Sequence, residues 1–186
     1  MARAIGTRPE RPGEDDEFLR AVYASTRRDE LAAFGWSKAQ EEAFIRMQFD
    51  AQTRHYHSTF PAAARLIICV DEGPAGRLIV SRREDEIRIV DLALLPEFRG
   101  AGIGHELVSR LLAEADAARL PVRCHVLGTN PARAFWERAG FATLEGDTAG
   151  PGNAGGQDNG GQQRDAGQQA EAAYLFMERP CGISPP

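Results

Sequence analysis

The segment Pro96-Glu97-Phe98-Arg99-Gly100-Ala101-Gly102-Ile103-Gly104 constrains this chain more than any other, because it joins an apolar, strand-like run to an amphipathic helix through alternating glycines. Glycine at such a junction removes side chains that would block a ligand, and the first-turn N–H groups of the following helix lack intrahelical acceptors. With the helix dipole behind them, those groups form a cradle for phosphate. The first expectation is therefore a pyrophosphate-bearing ligand.

What the loop lacks narrows the ligand. A nucleoside triphosphate loop needs Lys and Ser or Thr after its last glycine, whereas His105 and Glu106 follow Gly104. A dinucleotide fold needs Gly-x-Gly-x-x-Gly, whereas Gly100, Gly102 and Gly104 are evenly spaced, and no acidic residue ends a second parallel strand at the expected distance. Both readings are disfavoured.

The chain has 186 residues, enough for a single domain with a sizeable core, and that is the expectation for residues 1–186. Its net charge of −5 with no basic run gives little support for nucleic-acid binding. Cys69, Cys124 and Cys181 are odd in number and widely spaced, with no Cys-x-x-Cys pair for zinc, so reduced thiols and no metal are expected. The N-terminus is charged, and the longest aliphatic run is Leu66-Ile67-Ile68-Cys69-Val70. Neither secretion nor membrane insertion is signalled, and a cytoplasmic location is expected.

Periodicity places the elements. A short strand is expected at Ala4 to Arg8, then a helix after Asp15 and Asp16 with Phe18, Leu19, Val22, Tyr23 and Thr26 on helical spacing. A second helix runs from Ser37, a candidate N-cap, to His57, with Phe44, Met47, Ala51 and His55 down one face. Runs at Arg65 to Asp71 and Ala75 to Ser81 read as strands around a turn at Glu72-Gly73-Pro74, and Glu86 to Leu95 as a third strand. Ile103, Leu107, Leu111 and Ala115 recur every four residues after the glycine loop, so that helix buries one face on a sheet. Pro121 to Leu127 is the next strand, and Pro131 to Ala139 a short helix stopped by Gly140. Residues 146–170 contain no Val, Ile, Leu, Met or aromatic residue, so a flexible Gly/Gln-rich insertion is expected at about 146–171. Strand character returns at Ala172 to Glu178.

The pattern Arg99-x-x-Gly102-x-Gly104, preceded by the apolar strand Ile89 to Pro96 and followed by Asn130-Pro131-Ala132-Arg133-Ala134-Phe135-Trp136-Glu137-Arg138-Ala139-Gly140-Phe141, resembles motifs A and B of the GNAT superfamily of acyl-CoA-dependent N-acyltransferases. The resemblance covers roughly residues 65 to 145. It implies an α/β fold with a mixed, mostly antiparallel central sheet flanked by helices, in the order β-α-α-β-β-β-α-β-α-β-β. It also implies acetyl-CoA as acyl donor. The strand carrying Leu92, Ala93 and Leu94 would splay from its neighbour and pair with the pantetheine arm as an added strand would. Arg99 and the backbone N–H groups of Gly100, Ala101, Gly102, Ile103, Gly104 and His105 would hold the pyrophosphate. By the same resemblance Asn130 would contact the pantetheine arm; as a lone Asn it is equally a helix N-cap.

Trp136 departs from the resemblance, standing in the cofactor site where many relatives carry a tyrosine that protonates the leaving thiolate. An indole N–H is no practical acid. Tyr174 is the alternative acid, or simply a strand aromatic. For the base that deprotonates an ammonium acceptor, His125 is the candidate, with Asp91 as its competitor unless Asp91 pairs with an arginine such as Arg88 or Arg123. No cysteine has a base at local spacing, so direct transfer to a primary amine is expected, on a small molecule or a peptide or protein N-terminus, recognised by the first two helices around Arg27 to Trp36. A homodimer is compatible with the sequence. The alternative is a module that binds coenzyme A or acyl-CoA without turnover.

Overall fold

The structure, a computed structural model, describes residues 3–127, 132–144 and 174–182. The expected insertion at 146–171 and Asn130 lie outside the described residues. The chain order is β1 (Ile5–Pro9), α1 (Asp16–Ala32), α2 (Lys38–Thr59), β2 (Ala64–Val70), β3 (Gly73–Arg82), β4 (Ile87–Leu94), α3 (Ile103–Ala118), β5 (Val122–Leu127), α4 (Arg133–Arg138), β6 (Ala142–Thr143) and β7 (Tyr174–Arg179), with a 3₁₀ turn at Pro96–Phe98. The expected order of elements is the observed one. The strands form one open sheet in the order β1-β2-β3-β4-β5-β7-β6, antiparallel at every pairing except β4 with β5.

Helices cover both faces of this sheet. Ile103, Leu107, Val108, Leu111, Leu112 and Ala115 of α3 bury against Ile68, Leu78, Val80, Ile87, Ile89, Val122, Cys124, Val126 and Met177. These residues alternate along their strands, as a sheet with two packed faces requires. On the opposite face, Leu19 and Tyr23 of α1 and Phe49 of α2 pack on Ile67, and Tyr56 packs with Phe60, Ala63, Ile79 and Val90.

Local chemistry fixes the helix entries. Asp15 precedes α1 and makes no side-chain cap bond; its carboxylate instead accepts two bonds from the Arg8 guanidinium (2.6 and 2.8 Å) and one from the Arg11 N–H (2.7 Å). Bonded so by Arg8, the carboxyl is held down at about 2 despite its burial, and β1 is stapled to α1. Ser37 caps α2 through a reciprocal box with Gln40.

Two expectations are corrected. The β2–β3 hairpin turns at Asp71-Glu72, both with positive φ (48° and 70°), rather than at Glu72-Gly73-Pro74; Gly73 already pairs with Val70. Asp71 is suited to this conformation, and its Oδ1 accepts the Ala4 N–H at 2.9 Å. On α2 the buried aromatics are Phe49 and Tyr56, while Met47 is 56% exposed and Ala51 exposed. Phe44 packs edge-on against Trp36, itself stacked on Phe34, in a surface cluster at the α1–α2 junction.

Candidate functional site

The site is built around the place where β4 and β5 part. Their parallel ladder has three pairs, Ile87–Val122, Arg88–Arg123 and Ile89–Cys124. Beyond these, β4 remains paired to β3 as far as Leu94, and β5 remains paired to β7 as far as Leu127. The facing edges of residues 90–94 and 125–127 therefore diverge with no ladder between them among the described residues. Two features steer β4 toward β3. Val90 is an extra residue, a bulge between the Ile79–Asp91 and Val80–Ile89 pairs. Opposite Leu94 stands Gly76, where a Cβ would collide with the Ala93 carbonyl oxygen.

Leu92, Ala93 and Leu94 line the β4 side of this cleft and are half-buried. Past the strand the chain makes its 3₁₀ turn and enters α3 through Gly100 and Gly102, at φ 70° and 79°. A Cβ on either glycine would meet nothing within 4 Å, so the space beside this backbone is open. Gly102 is the N-cap of α3, and no side chain caps the helix there. Ala101 and His105 are exposed, Ile103 is buried under the loop, and a Cβ on Gly104 would touch the Phe135 ring at 3.6 Å. A long uncapped helix whose entrance is bare backbone fits an anion such as a pyrophosphate. A strand edge without a partner fits an extended amide-bearing arm. The groups present thus fit coenzyme A in both of its parts.

The Arg99 side chain turns back from the loop. Its Nε donates to Leu94 O (2.8 Å), and Nη2 donates to Ser25 Oγ and O on α1 (2.9 and 3.3 Å). It braces the glycine loop against the end of β4 and against α1. Trp136 is 7% exposed and packs edge-on against Phe135 and Phe141, inside the α3-side core.

The two candidate bases, Asp91 and His125, share the α1/α2 face. Asp91 pairs with Arg77 of β3, not with Arg88 or Arg123. Arg77, buried, also donates to Gln52 (2.8 Å) and lies over the rings of Phe49 and Tyr56. His125, one residue past the last β4–β5 pair, pairs across to β7 and packs at a tilt against Phe176 with ring centroids 4.7 Å apart. Cys124 points the other way into the core, where burial pushes its thiol far up and keeps it un-ionised.

The sequence reading missed the buried charge network beside His125. Glu86 is 2% exposed, yet its carboxylate receives Arg88 Nη2 and Arg123 Nη1, each at 3.1 Å, with Arg83 at 3.5 Å. Arg123 Nε donates to Glu178 at 2.6 Å. The available signal was a glutamate opening an apolar strand, with Arg88 two residues on at the next same-face position.

The model of the acetyltransferase (GNAT) family matches residues 19–141. Similar solved structures include the PaiA N-acetyltransferase of Thermoplasma acidophilum in complex with coenzyme A (17% identity, TM-score 0.62, covering 95% of this chain and 99% of that one). An acetyltransferase of Thermus thermophilus gives 19% identity and TM-score 0.57, covering 95% and 96%. A GNAT family acetyltransferase of Elizabethkingia anophelis with acetyl-CoA bound gives 10% and 0.55, covering 95% and 97%. No curated protein sequence matches significantly. With the family pattern running from α1 to the end of α4 and the strands diverging at the glycine loop, this chain belongs to the acetyltransferase (GNAT) family.

Proposed function

We propose that the protein transfers the acetyl group of acetyl-CoA directly to a primary amine. The observation that carries this is the cleft between β4 and β5 ending at the uncapped α3 N-terminus. Backbone N–H groups of Gly100 to His105 bind the pyrophosphate, and Arg99 fixes their loop from behind. Leu92, Ala93 and Leu94 offer backbone groups to the pantetheine arm, with Asn130 as a further contact. Acetyl-CoA, when bound, supplies an acetyl group activated as a thioester.

His125 takes the proton that an ammonium acceptor must lose before its nitrogen can attack, since it stands on the diverging part of β5 and faces the α1/α2 side. Asp91 is a weaker choice because Arg77 occupies its carboxylate; it serves better to hold β3 and β4 in register at the bulge. A backbone N–H of β4 past Val90 polarises the acyl carbonyl. Trp136 anchors α4 on the core, and solvent protonates the departing thiolate.

Calorimetric titration with coenzyme A, together with thiol release from acetyl-CoA over a panel of primary amines, tests this. Binding with turnover on at least one amine is expected. Binding with no turnover on any of them would make the chain a coenzyme A-binding module, and absence of binding would defeat both readings.

A further inference from the structure

The geometry points to an acceptor that carries a carboxylate close to its amine, an amino acid rather than a polyamine, with Arg88 and Arg123 as its anion-binding pair. This deepens the acetyl-transfer reading above and rests on it. Arg88 and Arg123 are direct neighbours in the middle pair of the β4–β5 ladder, one row before the strands diverge. They lie opposite Ile89 and Cys124, which are buried under α3, and so share a face with His125 and Phe176. Along a strand, Arg123 and His125 are about 7 Å apart at Cα. A guanidinium's reach and the short span of an amino acid bridge that separation.

The charge balance within this ion-pair network is uneven. Glu86 and Glu178 supply two carboxylates against the three guanidiniums of Arg83, Arg88 and Arg123, a surplus of one positive charge. The nearby Asp91 contributes nothing to correct it, because Arg77 neutralises it. One buried carboxylate needs one cation for balance; Glu86 has three. A polycationic acceptor would meet net repulsion here, and an anion would meet attraction.

Donors remain for that anion. Glu86 uses Arg88 Nη2 and Arg123 Nη1, and Glu178 uses Arg123 Nε, which leaves Arg88 Nη1 and Arg123 Nη2 without a hydrogen bond among the described residues. Both guanidiniums are set in place over the Phe176 ring, at 5.1 and 6.0 Å from its centroid. Their side chains are 15% and 28% exposed, enough to be reached and sheltered enough for a charge-assisted bond to count. Two fixed guanidiniums beside a histidine thus make a site for the carboxylate of an acceptor whose amine reaches the base.

The test compares amino acids with their decarboxylated and carboxamide counterparts, and with spermidine, as acceptors in thiol release by the full chain. A preference in kcat/KM of about tenfold or more for the carboxylate form is expected, the worth of one charge-assisted hydrogen bond. In Arg123→Gln that ratio falls toward unity while coenzyme A affinity is kept, and Arg88→Gln repeats the test where loss of the Glu178 bond compromises folding. Parity, a preference for spermidine, or an equal loss on both acceptor types in the variants would overturn the assignment. If no acceptor turns over while coenzyme A binds, the transfer reading fails separately. Calorimetry with N-acetyl amino acids then decides the anion site, which stands if they bind the wild type and not Arg123→Gln, and falls if they bind neither or both.

Discussion

Alanine at Gly102 and, separately, at Gly104 distinguishes a phosphate cradle from a plain strand-to-helix turn. Gly102 sits at φ 79°, and an added Cβ would have nothing within 4 Å. Its cost to the protein alone is therefore backbone strain, roughly 1–2 kcal/mol, with no steric part. For a chain of this size that is a fall of about 2–8 °C in Tm. Ligand affinity responds separately: a charge-assisted hydrogen bond from a backbone N–H is worth about 1.5–3 kcal/mol, so losing one at the N-cap weakens coenzyme A about ten- to hundredfold. Gly104 lies inside the helix, and its added Cβ would make ordinary contact with Phe135 at 3.6 Å. Alanine there recovers part of the roughly 1 kcal/mol by which glycine disfavours a helix. Gly104→Ala should raise Tm by about 1–3 °C and leave coenzyme A affinity within about twofold. Scanning fluorimetry and calorimetry on the two variants supply both numbers. Wild-type affinity in Gly102→Ala would refute the assignment of phosphate binding to this loop.

His125→Ala should lower kcat by about 10²-fold or more at neutral pH with coenzyme A affinity unchanged, measured by thiol release beside calorimetry. Acid should release the β1–α1 staple: because the Asp15 carboxyl is lowered from 3.8 to about 2, its stabilisation is complete above pH 4 and is lost as pH falls toward 2. Arg8 is one-third exposed, so the contribution is about 1–2 kcal/mol, read as the difference between wild type and Asp15→Asn in denaturant midpoint across that window. Ser37→Ala removes the capping box of α2 and should cost about 1 kcal/mol by the same measurement at pH 7.

What can be read from the sequence is whatever local spacing encodes. The α3 face at Ile103, Leu107, Leu111 and Ala115 is buried as its periodicity requires, because a helix sets its own geometry within four residues. The glycine loop is legible because positive φ at Gly100 and Gly102 is a demand on residue type. On α2 the same periodicity selects the wrong stripe. Phe44 has a surface partner in Trp36, so its hydrophobicity does not report the core, whereas Phe49 and Tyr56 pack over Ile67 and Ile79. The polar parts of the site are harder for a different reason. Arg77 meets Asp91, and Arg123 meets Glu86, only through the register of strands that are far apart in sequence. Candidate partners for Asp91 at Arg88 and Arg123 are chemically equivalent to Arg77, and only strand registry separates them.

One part of that registry is nevertheless written in the chain. Along β4 the residues buried toward α3 are Ile87 and Ile89, then Leu92 and Leu94 pack on the same core, so the apolar positions change from odd to even. A regular strand has period two and cannot do this. The change requires one extra residue, and the pairing shows it at Val90. Without the bulge, Asp91 would point into the core beside Ile89 and Cys124, where a carboxylate would lie far from Arg77 among apolar groups. With it, Asp91 reaches Arg77 on the α1/α2 face, and the strand bends as a bulged strand does. The bend falls one residue after the last β4–β5 pair, and Gly76 admits the tip of β4 close to β3. The ion pair, the cleft and the approach of Leu94 to the glycine loop are therefore consequences of one inserted residue. A substitution at Val90, Gly76 or Arg77 acts on the cleft through this geometry without touching any ligand.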